Sequence, residues 1–311
     1  MSILVTGDFT PAERAEWMAE LGAALPGETL LPDRAGGAAK DIDIAIVANP
    51  APGALAGLPR LRLIQSLWAG VEKILADPTV PVGVPLARMV DPAMNEAMAE
   101  TALWAVLSLH RGAFVYARQQ RERQWQQHGQ RAAGEIGVTV LGLGEMGRTV
   151  ALRLARNGYR VTGFSTRPAA LPGVRTLSGG AALAQALAGA EVLVNLLPLT
   201  PATRGLIDAR LLAQLPCGAA VVNLARGAHV VEADLLEALA SGQIGHAVLD
   251  VFAEEPLPPA HPFWAHERVT VLPHVAAQTD ARSAAAVVAE NIRALRSGRA
   301  MRHLVDRARA Y

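Results

Sequence analysis

The sequence predicts an α/β protein of two doubly wound parallel-sheet domains with a cleft between them. Three observations carry this reading. Strand-like apolar runs alternate with helical stretches, the runs are too apolar for solvent-facing strands, and the alternation occurs twice within 311 residues. That length is enough for two domains, each with its own core.

The first series opens with Ile3-Leu4-Val5, ended by Gly7. A helix is predicted from Pro11 to Leu21, with proline suited to its first turn. Ile42–Val47 reads as a buried parallel strand, and Leu63–Leu67 as another, leading into Trp68-Ala69-Gly70. From Asn95 to about Gln127 the apolar residues Met98, Ala102, Ala105, Val106 and Leu109 recur at helical spacing without a proline, which predicts one long helix. The second series begins at Val138–Leu141 and continues through strands at Tyr159–Phe164, Val192–Asn195, Ala220–Asn223, Ala247–Asp250 and Val269–Leu272. An alanine-rich helix over Asp280–Leu295 closes the chain.

Composition narrows the function classes. Hydrophobic residues make up 51% and charged residues 18%, the profile of a folded core rather than a disordered chain. A net charge of +1 supplies no electrostatic reason for a nucleic-acid or acidic-membrane partner. Cys217 is the single cysteine, so neither an internal disulfide framework nor a cysteine-based zinc site is available. His261 and His266 lack the spacing of a metal-binding helix, and no G-x-S-x-G marks a serine hydrolase. The start of the chain has no basic leader, and no apolar run reaches the roughly 18 residues of a membrane span, so the expectation is a cytoplasmic protein.

Gly142-Leu143-Gly144-Glu145-Met146-Gly147 follows a strand and opens a helix. In that context Gly142 permits the tight turn, Gly144 lets the backbone approach a pyrophosphate, and Gly147 lets helix and strand pack closely. The phosphates would meet the helix N-terminus, where free N–H groups and the macrodipole favour negative charge. The next strand ends in Ser165-Thr166-Arg167, without the acidic residue that holds the ribose 2′-hydroxyl of NAD. Two hydroxyls and a guanidinium suit a 2′-phosphate, so NADP(H) is expected over NAD(H), with acceptance of either as the alternative.

Three further segments, Val222–Gly227, Leu249–Pro258 and Leu272–Ala277, stand in an order and spacing that resemble the D-isomer-specific 2-hydroxyacid dehydrogenase family. The resemblance runs from Trp68-Ala69-Gly70-Val71 to Leu304–Arg307. Together with the Ser-Thr-Arg loop and the terminal Tyr311, it is most similar to a branch of glyoxylate/hydroxypyruvate reductases. It implies that Arg226, Glu255 and His274 are the catalytic set. The chemistry agrees: a 2-keto acid needs a planar cation to clamp its carboxylate and carbonyl, a role for Arg226. It also needs a proton donor, and histidine's ordinary pKa of about 6.5 suits His274 to that task. Glu255 would orient the imidazole and favour its charged form.

The resemblance further implies that Trp68, Ala69 and Gly70 form a substrate loop, that Asp250 accepts from the nicotinamide carboxamide, and that Leu197, Pro198 and Thr200 lie along the cofactor. Where the family usually has Asp, this chain has Glu72. The bulk of Trp68 favours short substrates such as glyoxylate and hydroxypyruvate. The implied domains are 1–95 plus 278–311 for the substrate and 96–277 for the dinucleotide, and the implied assembly is a homodimer using the long helix. A regulatory NADP(H) sensor without turnover is the competing function class; the intact Arg226, Glu255 and His274 argue against it.

Overall fold

The computed structural model describes residues 1–309; Tyr311 lies outside the described residues. In chain order the first elements are β1 (Ser2–Gly7), α1 (Pro11–Ala24), β2 (Thr29–Leu31), β3 (Ile42–Ala48), β4 (Leu63–Ser66), α2 (Glu72–Ala76) and β5 (Leu86–Ala87). Then follow α3 (Pro92–His110), α4 (Ala113–Arg121), β6 (Gly137–Leu141), α5 (Glu145–Arg156), β7 (Arg160–Ser165), β8 (Val174–Ser178), α6 (Leu183–Leu187) and β9 (Val192–Asn195). The chain continues with α7 (Ala209–Leu212), β10 (Ala219–Asn223), α8 (Glu232–Ser241), β11 (Ile244–Leu249), β12 (Val269–Val271) and α9 (Ala281–Arg296). These group into two compact units, Met1–Met94 with the chain from Thr279 onward, and Asn95–Gln278.

The first unit holds a parallel sheet of five strands in the order β2-β1-β3-β4-β5. Its central strand β3 is buried along its whole length, because helices or loops cover both faces of such a sheet and leave no polar side to alternate with. Asp43 is nonetheless on β3 and fully buried. Arg296 of α9 pairs with it and with Glu28, which satisfies the buried carboxylate and anchors α9 to this unit. The pairing also holds the Arg296 guanidinium further into its charged range, through the hydrogen bonds of Glu28 and Asp43.

The second unit holds seven parallel strands in the order β12-β11-β10-β9-β6-β7-β8. Alternate residues feed opposite layers. Val138, Val140, Val192, Val194 and Val222 pack with Met98, Ala102 and Val106 of α3 and with Val150 and Leu154 of α5. Leu141, Leu193, Val221 and Leu249 pack on the other face with Leu187, Leu211, Leu235 and Leu239. The strand order reverses between β6 and β9, the position at which open α/β sheets leave a crevice beyond their strand ends.

The single long helix expected from Asn95 to about Gln127 is instead two. Gly112 takes a left-handed φ of +69° between α3 and α4, and the chain after Arg121 is not helical until a short turn at 133–135. Apolar periodicity passed through this break because Phe114 and Tyr116 keep the spacing; the glycine, not a proline, ends the first helix. Strands β2, β5 and β8 add to those the sequence predicts. None of the described helices is long and apolar enough to cross a membrane.

Candidate functional site

The loop from Gly142 to Gly147 is shaped by its neighbours on both sides. The Gly142 N–H donates to Phe164 O of β7 at 2.8 Å, and its φ is +93°. A Cβ on Gly142 would stand 2.6 Å from Leu196 O beyond β9, and one on Gly147 would stand 1.8 Å from Gly142 O. Both positions therefore require glycine for close backbone approach. Gly144 differs: a Cβ there meets nothing within 4 Å, and as the N-cap of α5 it supplies no side-chain hydrogen bond to the helix's first N–H groups. The result is an open helix end without a side-chain cap, which fits a dinucleotide pyrophosphate. Of the other loop residues, Leu143 is buried and Met146 packs on the same core, so they face inward, whereas Glu145 is exposed. Leu143 seats itself where Gly163 of β7 has no side chain, since a Cβ there would lie 2.7 Å from Leu143.

At the end of β7 the Ser165 hydroxyl donates to Arg167 O at 2.6 Å, which folds the turn and leaves Thr166 and Arg167 exposed. Beyond β9, Leu197 is buried. The Thr203 hydroxyl donates to Pro198 O at 2.7 Å and accepts from the Thr200 N–H at 2.8 Å, fixing the backbone of that stretch.

Glu255 and His274, 19 residues apart in sequence, meet beyond β11 and β12: Nδ1 of the imidazole lies 2.8 Å from Oε2 of the carboxylate. Glu255 Oε1 accepts the Phe252 N–H at 2.9 Å, so the carboxylate is held from both sides. His274 takes a left-handed φ of +54°, a conformation that costs a non-glycine residue about 1–2 kcal/mol. Asp250 offsets that cost. Its buried carboxylate accepts the Val275 N–H at 2.7 Å and the Ala276 N–H at 3.1 Å, and its main-chain oxygen accepts the His274 N–H at 2.9 Å. Bonds to a charged acceptor are worth roughly 1.5–3 kcal/mol each, enough to hold the strained residue. Burial raises the pKa of Asp250, and the two N–H groups partly oppose that shift. Capping this turn uses three of the carboxylate's roughly four acceptor positions, leaving one on Oδ2.

Arg226 follows β10, half-buried, with Nη1 donating to Ala225 O at 2.6 Å. The next residue, Gly227, abuts the neighbouring loop so closely that a Cβ would lie 1.8 Å from Phe252 C. Only glycine lets the Arg226 loop lie against the loop that carries Glu255. Below these loops lies a buried cluster that sequence reasoning missed: Asn195 and Asn223, at the ends of β9 and β10, and His229 are all fully buried. In the sequence the asparagines stand only as strand ends, and a histidine three residues after Arg226 belongs to no motif. In the other unit Trp68 follows β4, packs edge-on against Trp17 with ring centres 6.1 Å apart, and is tied down by Ser66 Oγ, which accepts the Trp68 N–H at 3.0 Å.

Comparison with known proteins identifies the family and the fold. Residues 103–276 match the model of the D-isomer specific 2-hydroxyacid dehydrogenase NAD binding domain. Over 98% of both chains the sequence is 40% identical to glyoxylate/hydroxypyruvate reductase A of Serratia proteamaculans. The fold matches that of a D-isomer specific 2-hydroxyacid dehydrogenase from Xanthobacter autotrophicus, crystallised with NADPH and MES. The TM-score is 0.95 at 42% identity, covering 100% of this chain and 99% of that one. It also matches an NADPH-dependent glyoxylate/hydroxypyruvate reductase from Sinorhizobium meliloti in complex with NADP and sulfate, at a TM-score of 0.93 and 36% identity over 100% of both chains. A dinucleotide cradle, an imidazole–carboxylate pair and a neighbouring arginine are thus arranged on a fold shared along its full length with these oxidoreductases, and the chain belongs to the D-isomer-specific 2-hydroxyacid dehydrogenase family.

Proposed function

We propose that the protein reduces small 2-keto acids, glyoxylate and hydroxypyruvate foremost, to 2-hydroxy acids with NADPH. The observation that carries the reading is the His274–Glu255 pair at 2.8 Å, with about half of the histidine side chain (51%) still exposed. Glu255 occupies Nδ1 and orients the ring, so Nε2 is the atom that delivers a proton to the substrate's keto oxygen. In the reverse direction the same nitrogen takes the proton from the alcohol. Arg226 clamps the carboxylate and polarises the carbonyl through its planar fork. The nicotinamide, when bound, supplies the hydride.

The unit Asn95–Gln278 serves as the dinucleotide domain, and the other unit, which carries Trp68, Ala69 and Gly70, serves as the substrate domain. The Gly142–Gly147 cradle holds the pyrophosphate, Thr200 and the backbone of Leu197–Pro198 flank the cofactor, and the remaining acceptor position of Asp250 takes the carboxamide. Ser165, Thr166 and Arg167 receive the 2′-phosphate. Support for NADPH comes from the exposed Arg167 and from the relatives crystallised with NADPH or NADP. The protein acts in the cytoplasm and as a homodimer; the apolar Trp104 and Leu107 left exposed on α3 support the second of these.

The deciding experiment follows NADPH absorbance after adding glyoxylate, hydroxypyruvate or a longer 2-keto acid. Consumption fastest with the two short acids is the expected result. Tight NADPH binding with no turnover on any 2-keto acid would instead establish the regulatory sensor.

A further inference from the structure

Three fully buried polar side chains lie beneath the loops assigned to cofactor and substrate, and their hydrogen bonds leave little freedom in how they are oriented. Asn223 Nδ2 donates to Arg226 O at 3.0 Å, so its Oδ1 is the acceptor that receives the Ala225 N–H at 3.3 Å. Asn195 Nδ2 then donates to that same Oδ1 at 2.9 Å, while its own Oδ1 accepts the Leu197 N–H at 3.3 Å. The remaining direction of Asn195 Nδ2 points to His229 Nδ1, 3.0 Å away. A donor there makes Nδ1 an acceptor. The other ring nitrogen, Nε2, lies 3.3 Å from Pro198 O and must be the N–H. The imidazole protonated at Nε2 alone satisfies both of these partners; a proton on Nδ1 would face the N–H of Asn195.

One ring thus links two loops. Through Nε2 it holds the main chain of Leu197–Pro198, and through the two amides it reaches the carbonyl of Arg226. We propose that His229 is a positioning residue, which sets the backbone of the Arg226 clamp and of the Leu197–Pro198 loop beside the cofactor with a single neutral imidazole. The inference rests on the reading of Arg226 as the substrate clamp. Catalysis is sensitive to this because a displacement of about 1 Å in a group that orients the substrate costs on the order of a hundredfold in rate.

Three variants separate this role from plain core packing. His229→Asn keeps an acceptor near Nδ1, His229→Gln keeps a donor near Nε2, and His229→Leu keeps neither. In steady-state assays with glyoxylate and saturating NADPH, His229→Leu and His229→Gln should each lower kcat/KM about tenfold to a hundredfold, while His229→Asn recovers most of it. NADPH affinity, measured by fluorescence without substrate, should change less than about threefold in the Asn variant, since the loop keeps its Thr203 bonds. Equal losses in all three variants, no loss in any, or recovery by Gln and not Asn would each overturn the proposal. If the Leu variant does not fold, the Asn–Gln contrast decides alone.

Arg226→Ala supplies the control for the underlying reading. If it retains glyoxylate turnover, the clamp assignment fails whatever His229 does. If it abolishes most turnover, adding His229→Asn or His229→Gln to that background should cost nothing further, and a full additional loss would show that His229 does not act through Arg226.

Discussion

Both units place a helix after the first strand of a parallel sheet, and they treat its N-terminus in opposite ways. In the first unit Thr10 caps α1 with a full capping box: the Glu13 N–H donates to the threonine hydroxyl at 3.3 Å, and Glu13 Oε2 accepts the Thr10 N–H at 2.8 Å. Pro11 follows and removes one donor altogether. In the second unit the equivalent position is Gly144, which offers no side chain, so the first-turn donors of α5 are left for a ligand. Two sheets of the same class therefore differ in how one residue of one turn treats the helix end. A closed helix end stabilises the fold, whereas an open one gives up a capping contribution of about 1 kcal/mol in exchange for an anion site.

The largest test closes the open end. Gly144→Asp should fold normally, because a Cβ there meets nothing within 4 Å. Its carboxylate would cap α5 and occupy the place of a phosphate, so NADPH affinity should fall on the order of a hundredfold with an unchanged or slightly raised Tm. Unchanged affinity in a fluorescence titration would sink the cradle assignment.

The second unit also carries a group that responds to acid. On β11, burial pushes the His246 imidazole down to about 4, with the charges of His266 and Arg118 adding to the effect. Its ring stacks on Phe114 at 4.3 Å. An unfolded histidine titrates near 6.5, so between about 4 and 6.5 the unfolded chain binds more protons and stability falls as pH drops. The loss should total about 2 kcal/mol after discounting for partial exposure, seen as a falling Tm in thermal melts across that window. His246→Gln should flatten the dependence; an equally steep profile in the variant would place its cause elsewhere.

A smaller effect sharpens which dinucleotide the open end serves. Arg167→Ala should weaken NADPH about tenfold and leave NADH nearly unchanged, the size of one charge-assisted contact to phosphate. Parallel weakening of both cofactors in competitive titration would count against the 2′-phosphate role. The smallest effect lies at the closed end. Thr10→Ala should lower stability by about 1 kcal/mol in denaturant unfolding and leave NADPH affinity alone. A loss of affinity there would mean that the two helix ends are not functionally distinct.

Much of the fold was legible because buried parallel strands write themselves as continuous apolar runs. Ile42–Val47 and Ala220–Asn223 lie within β3 and β10. The strands that escaped notice are short, or exposed on one side. β8 at the edge carries Val174-Arg175-Thr176-Leu177-Ser178 with none of its residues buried, so no apolar signal marks it. Helical periodicity at 95–127 could not register the left-handed turn at Gly112, since spacing counts residues and not their φ angles. Within the candidate site, the glycines were legible from local spacing, and Arg226, Glu255 and His274 from the resemblance of their segments to the family. The reach of Asp250 to the N–H groups beyond His274 was not, nor was the contact that makes Gly227 obligatory, because each depends on how neighbouring strands align.

By itself, then, the sequence determined the alternation of strands and helices, the glycine spacing of the loop after β6 and the presence of Arg226, Glu255 and His274 in family order. Only the tertiary structure decided that one helix end is open and the other closed. It likewise decided that Glu255 meets His274 across 19 residues, and that His229 joins Pro198 to Arg226 through two buried amides. The physical reason is the same throughout. Strand and helix preferences are local and accumulate along the chain, whereas hydrogen bonds between loops exist only once the parallel register has brought distant strand ends side by side.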